Sequence, residues 1–197
     1  MRKLTLADIA DARAYERERD ALRTSVIELR RRRRVPVGNL VSVAFESRDT
    51  MRYQIQEMAR AERIFTDAGI QQELDAYNPL IPEPGQLRAT MFIELTSDEQ
   101  VREWLPRLVG IEDSLLFRLP GLDRDGGVVR GKVAADHAGQ LTRDHVTAAV
   151  HYVTFDFEEG QVAAFTDGVT LQIDHPAYHE SVTLLPATVA ELRNDLG

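Results

Sequence analysis

Leu87-Arg88-Ala89-Thr90-Met91-Phe92-Ile93-Glu94-Leu95 alternates two kinds of position. Leu87, Ala89, Met91, Ile93 and Leu95 fall on one face, with Arg88, Thr90, Phe92 and Glu94 between them. Successive side chains of a strand point to opposite faces, so this period of two reads as a half-buried β-strand. A helix follows at once. Thr96 and Glu99 have capping-box spacing, Val101, Trp104, Leu105 and Leu108 supply the apolar positions, and Gly110 supplies a stop.

Outward from this unit the chain keeps alternating. Ser114 to Leu119 reads as a strand, Pro120 to Gly127 as a turn-rich loop and Val128 to Val133 as a further strand. A polar stretch from Asp136 to Asp144 precedes a long strand expected over His145 to Phe157. There the pattern echoes. Phe92-Ile93-Glu94-Leu95 leads to an acidic start, then Gln100-Val101 and Trp104. Val153-Thr154-Phe155-Asp156 leads likewise to Glu158-Glu159, then Gln161-Val162 and Phe165. Each helix is followed by a new strand, Leu115 to Leu119 and Val169 to Ile173. The echo describes two strand–helix–strand units, with a pseudo-twofold relation as the strong form and chance as the alternative. Ser181 to Leu185 makes a last strand, and Pro186 opens a terminal helix.

The N-terminal part is mainly helical. Thr5 and Asp8 mark a helix start, and Leu6, Ile9, Tyr15, Leu22, Val26 and Leu29 form a stripe up to the block Arg30 to Arg34, where Pro36 ends the helix. Leu40 to Phe45 reads as a strand. Asp49 or Thr50 caps a second helix with Met51, Ile55, Met58 and Phe65 on its apolar face, broken at Asp67-Ala68-Gly69. A shorter helix through Leu74 and Tyr77 stops before Pro79, because proline disfavours helical geometry in the residue ahead of it. The expected fold is α+β: a mixed, largely antiparallel sheet flanked by helices, with a long N-terminal helix and two strand–helix–strand units. Residues 1–197 read as one domain, helical over 1–85 and strand–helix–strand over 86–197.

Composition narrows the chemistry. The chain has 197 residues, 43% hydrophobic and 28% charged, and no cysteine. That excludes disulfides, thiolate catalysis and cysteine-ligated zinc or iron–sulfur clusters. The net charge of −8 argues against nucleic acid as a partner. No signal core and no apolar run of membrane length is found, so a cytoplasmic protein without a membrane partner is expected. Glycine-rich phosphate loops and nucleophile motifs are missing from the sequence.

Several long motifs resemble a known family. They are Leu4-Thr5-Leu6-Ala7-Asp8-Ile9, Val35-Pro36-Val37-Gly38, the helix Arg52-Tyr53-Gln54-Ile55-Gln56-Glu57-Met58-Ala59-Arg60-Ala61-Glu62-Arg63-Ile64, Tyr77-Asn78-Pro79-Leu80-Ile81-Pro82 and Ile173-Asp174-His175-Pro176-Ala177-Tyr178. Together they resemble the bacterial domain-of-unknown-function 3501 family across essentially the whole chain. The resemblance carries no activity or catalytic residue. It implies company with rubrerythrin-like diiron proteins and iron–sulfur proteins, and hence an accessory role in redox or oxidative-stress chemistry.

Three groups of residues are candidates. His175 and His179 would share a face if Pro176 starts a helical turn, with His151 as third ligand to a divalent metal or iron; the alternative is a polar turn whose histidines bond the backbone. Glu62 falls on the apolar stripe of the second helix, where a carboxylate must be paired, protonated or turned outward. With Arg60 and Arg52 it forms a candidate binding site for a small anionic ligand. Arg30 to Arg34 suits a helix C-terminus and either an acidic partner or carboxylates of the same chain. No cofactor is evident. The leading expectation is a non-catalytic accessory protein that assembles with itself or with a redox partner. A histidine metal site and a small-ligand module stand as alternatives.

Overall fold

In the structure, a computed structural model that describes residues 2–123, 126–133 and 145–197, the alternating segment is strand β3, Gln86–Ile93. Leu87, Ala89, Met91 and Ile93 are buried, as the period of two requires. β3 lies inside an eight-stranded sheet with β1 (Arg34–Val37), β2 (Val41–Phe45), β4 (Leu115–Arg118), β5 (Val128–Val133), β6 (Val150–Asp156), β7 (Thr170–His175) and β8 (Tyr178–Thr183). The order is β1-β2-β3-β6-β5-β4-β7-β8, and every pairing is antiparallel.

The sheet curls almost into a barrel. Phe45, Phe117 and Phe155 meet inside it with ring centroids 4.8 to 6.4 Å apart, and Phe157 and Phe165 close around Phe117. Rings at such spacing add to the burial of their apolar area. The two outer strands are stitched by one side chain. The Tyr178 hydroxyl donates to the Val37 carbonyl at 2.7 Å and accepts from the Leu40 amide at 3.0 Å. Gly38, at φ +70°, lets the chain pass under that hydroxyl, where a Cβ would collide with it.

Six α-helices surround the sheet among the described residues: α1 (Ala12–Arg33), α2 (Arg48–Glu62), α3 (Asp67–Tyr77), α4 (Asp98–Arg107), α5 (Glu159–Ala164) and α6 (Pro186–Leu196). None is long and apolar enough to cross a membrane. α6 sends Val189, Leu192 and Leu196 into the barrel core. A second, smaller core joins Leu4, Met51, Ile55, Leu74 and Ile81 between the N-terminal segment, α2 and α3.

The two repeated units are β3–α4–β4 and β6–α5–β7. Their first strands pair with each other, as do their second strands, the arrangement a local two-fold axis would produce. Other expectations need correction. Thr5 and Asp8 do form a capping box, but around a single 3-10 turn, Leu6–Asp8; α1 begins later, with the Asp11 carboxylate accepting from the amides of Arg13 and Ala14. Pro36 does not simply end a helix, because Arg34–Val37 goes straight into β1. Proline is tolerated there because β1 is an outer strand. Ser47, not Asp49 or Thr50, caps α2. Arg63, left-handed at φ 56°, ends it, and Asp67-Ala68-Gly69 opens α3 instead of breaking a helix. Ser97 replaces Thr96 as the cap of α4. The long strand begins at Val150, and the polar stretch Asp136 to Asp144 lies outside the described residues.

Candidate functional site

The histidines have structural employment. Pro176 and Ala177 form a two-residue hairpin between β7 and β8, so the expected helical turn is a β-turn. His175 is paired with Tyr178, and His179 with Asp174. Neighbouring positions of a strand point to opposite faces, which separates the two rings. His175 is buried; its Nε2 donates to the Val109 carbonyl at 3.1 Å, and its Nδ1 accepts from the Ala177 amide. His151 is buried on β6, with Nε2 2.8 Å from the Ala148 carbonyl. A ring nitrogen that gives its proton to a carbonyl has no lone pair for a metal. His179 is exposed beside Asp174 at 3.0 Å. Among the described residues, no three His, Asp or Glu side chains are grouped so as to hold an ion.

The arginine block is matched within the chain. Arg31 pairs with Glu28, Arg32 with Glu191 and Arg34 with Glu94. Arg33 is one of the most buried side chains. It ion-pairs with Asp195 and Glu191, and donates from Nε to the Phe45 carbonyl and from Nη2 to the Glu46 carbonyl. Arg30 differs: its guanidinium lies over the Tyr53 ring and, among the described residues, reaches the Gln54 amide oxygen at 3.4 Å and no carboxylate.

Arg52 and Arg60 clamp the N-terminal segment. With Gln56 they recur every four residues, which puts all three on one face of α2. Arg52 donates to the Asp8 carbonyl, Gln56 exchanges two hydrogen bonds with the Ala10 backbone, and Arg60 pairs with Glu16. Next to them Glu57 accepts from the Tyr15 hydroxyl and from two nitrogens of Arg19. The Arg19 bonds come first in holding its carboxyl down at about 2. Glu62 is not brought to this group. It is exposed at the end of α2, on another face, where its charge adds to burial in raising the Glu73 carboxyl.

Two concavities lie against α2. A groove of about 620 Å³ runs between the first turn of α1, the end of α2 and the start of α3, edged by Leu6, Ile9, Arg60, Ile64, Phe65 and Ile70. Phe65 is 73% exposed there, since the turn at Arg63 takes it out of the helical stripe. The second, of about 360 Å³, lies between α1, α2, the end of α3 and the outward face of β2, β3 and β6. Cross-strand register builds its sheet wall: Ala44, Thr90 and Tyr152 make one row, Phe92 and Val150 the next. Glu46 sits at the end of β2, half-buried, and accepts from the hydroxyls of Thr50 at 2.9 Å and Thr90 at 2.8 Å. Among the described residues no cation pairs with it. Tyr77, from α3, faces Tyr152, whose phenol is pushed up by burial and then by Tyr77 and Glu46.

Sequence reading did not select Glu46, Thr90 or Tyr152. Glu46 looked like the polar end of a strand. The available signal was parity: with Phe45 inward, Glu46 must face outward beside the Thr90 row.

A search of curated proteins found no match. Among solved structures the chain is similar to a novel protein of unknown function from Burkholderia pseudomallei. The two are 36% identical, each chain is covered in full, and the TM-score is 0.87. The family model described as a protein of unknown function (DUF3501) matches residues 3–196. The chain belongs to that family.

Proposed function

We propose that the protein is a small-molecule-binding module whose site is the pocket between α1, α2 and the outward face of β2, β3 and β6. One observation carries this reading. A concavity near the lower end of ligand-pocket volumes gathers the rings of Tyr77, Phe92 and Tyr152 with a half-buried carboxylate and an arginine that, among the described residues, have no partner of opposite charge. Buried polar groups normally find partners of matching charge, and a ligand would supply them here. The test is a thermal-shift screen spanning cationic, neutral, anionic and zwitterionic metabolites, repeated on Phe92→Ala. Binding raises the melting temperature with ligand concentration. Hits that weaken in Phe92→Ala support the pocket; a screen without any such hit removes it.

A second reading, assembly with another copy of the chain, has its own support. Phe65 projects beside a groove with apolar walls, and the groove's rim carries both signs, Arg13 and Arg60 against Asp11, Glu16 and Asp67. Such a patch can face itself across a two-fold axis. Light scattering of the wild type and of Phe65→Ser decides it: a monomer at every concentration rejects self-assembly. The redox company implied by the family rests on resemblance alone, and co-purification with rubrerythrin-like or iron–sulfur proteins would test it.

A further inference from the structure

We infer that this pocket takes a small zwitterion, its ammonium group set against Glu46 and its anionic group against Arg30. The inference rests on the pocket being the binding site and adds the chemical class of the occupant.

The charges argue for it. Arg32, Arg33, Glu191 and Asp195 close into a network with two charges of each sign, so Arg33 brings no free positive charge to the Glu46 side chain although it bonds the Glu46 carbonyl. Arg34 is held by Glu94 at 2.5 Å and lies over the Phe92 ring at 4.8 Å. Among the described residues the donors to the Glu46 carboxylate are the hydroxyls of Thr50 and Thr90, and a carboxylate oxygen accepts more than one bond. An ammonium group would complete it. The aromatic walls suit the same group, since the faces of Tyr77, Tyr152 and Phe92 attract cations. Tyr152 stays a neutral phenol because burial, Tyr77 and Glu46 all raise it, so it adds no second negative charge beside Glu46. On the α1 side the pocket's lining includes Arg30, exposed and weakly engaged, a fitting partner for a carboxylate or phosphate. One anion and one cation in one cavity select a molecule that carries both. A purely anionic ligand would meet Glu46, and a purely cationic one would meet Arg30.

The experiment uses the full chain with the proteinogenic amino acids and their N-trimethylated betaines as probes, at millimolar concentration, by thermal shift and calorimetry. Each hit is then compared with its decarboxylated amine and its deaminated acid. At least one zwitterion is expected to bind, with both truncated analogues weaker by about tenfold or more. Glu46→Gln keeps the shape and one accepted hydroxyl bond, the other hydroxyl turning to accept from the amide nitrogen, but should abolish the preference for the amine. Arg30→Ala, at an exposed position, should abolish the preference for the acid. If no zwitterion binds, or if the analogues bind as well as the parent, the inference fails. A neutral or singly charged hit from the wider screen that still depends on Phe92 would keep the pocket and remove only the zwitterion. If no compound of any class depends on Phe92, both are lost.

Discussion

Arg33 shows how much one residue can decide. Five arginines in a row look equivalent in sequence, yet one enters the interior and the rest stay on its rim. Helical geometry makes the choice, because the side chain at the last residue of α1 enters beneath the C-terminal helix, while Arg32 reaches Glu191 of that helix only from the exposed rim. Of the two matches expected for the block, an acidic partner or carboxylates of the same chain, the structure has the second for four of its five members. The identity of the buried one depends on α6, far away in sequence, and no local pattern could reveal it. Removing one partner of a buried ion pair strands the other. Arg33→Ala is therefore expected to cost about 3–5 kcal/mol in urea unfolding, and Asp195→Asn less, because an amide oxygen still accepts from the guanidinium. Equal losses in the two variants would contradict that account. Glu46 was illegible for a related reason: what makes it notable is the hydroxyls around it, and these arrive from β3 and from the next helix.

At the scale of elements, period and punctuation were readable while exact ends were not. Alternation in β3 and the proline-led α6 came through because each is set by its own residues. The first helix was started too early. Thr5 and Asp8 do make a capping box, but the turn it opens is abandoned after one round, and Asp11 caps the true helix. The cause is tertiary, since the segment from Leu4 to Ala10 is laid across α2 and α3 by Asn78, Arg52 and Gln56. Asp8 ties this segment to Arg48 of α2, and Glu57 ties the helix that follows it to α2 through Tyr15 and Arg19, so protonating the two carboxylates should loosen the whole N-terminal run. Asp8 is held well below its usual range by the Thr5 amide and by Arg48; Glu57 lies at about 2 against a normal 4.5. A carboxyl depressed in the folded state contributes stability above its unfolded value. That contribution is lost as pH falls from about 4.5 toward 2. Hydrogen exchange, corrected for intrinsic rate, should show the Leu4 and Ala10 amides losing protection in that window before the β3–β6 amides. Simultaneous loss would mean that the segment is held by other forces.

For the whole molecule, the α+β class and the antiparallel sheet were within reach of the sequence, and the closing of that sheet was not. Closure depends on which strands end up at the edges, a matter of order that periodicity does not encode. The two cores also have no buried residue in common. Leu74 and Ile81, both fully buried, belong to the smaller one under α2 and α3. Leu74→Ala is expected to cost about 2–5 kcal/mol. Its effect on native-state exchange should concentrate in α2 and α3 and spare the β4–β7 amides. Uniform deprotection would instead mark one cooperative unit.

Tyr178 gives the barrel a hazard as well as a join. Among the described residues β1 and β8 are the outer strands, each paired on one side, and free strand edges recruit strands from other molecules. A phenol that ties β8 to the end of β1 keeps those edges facing each other. Tyr178→Phe should then do more harm on storage than at equilibrium, with mild heating producing fibrillar, thioflavin-binding material sooner than in the wild type.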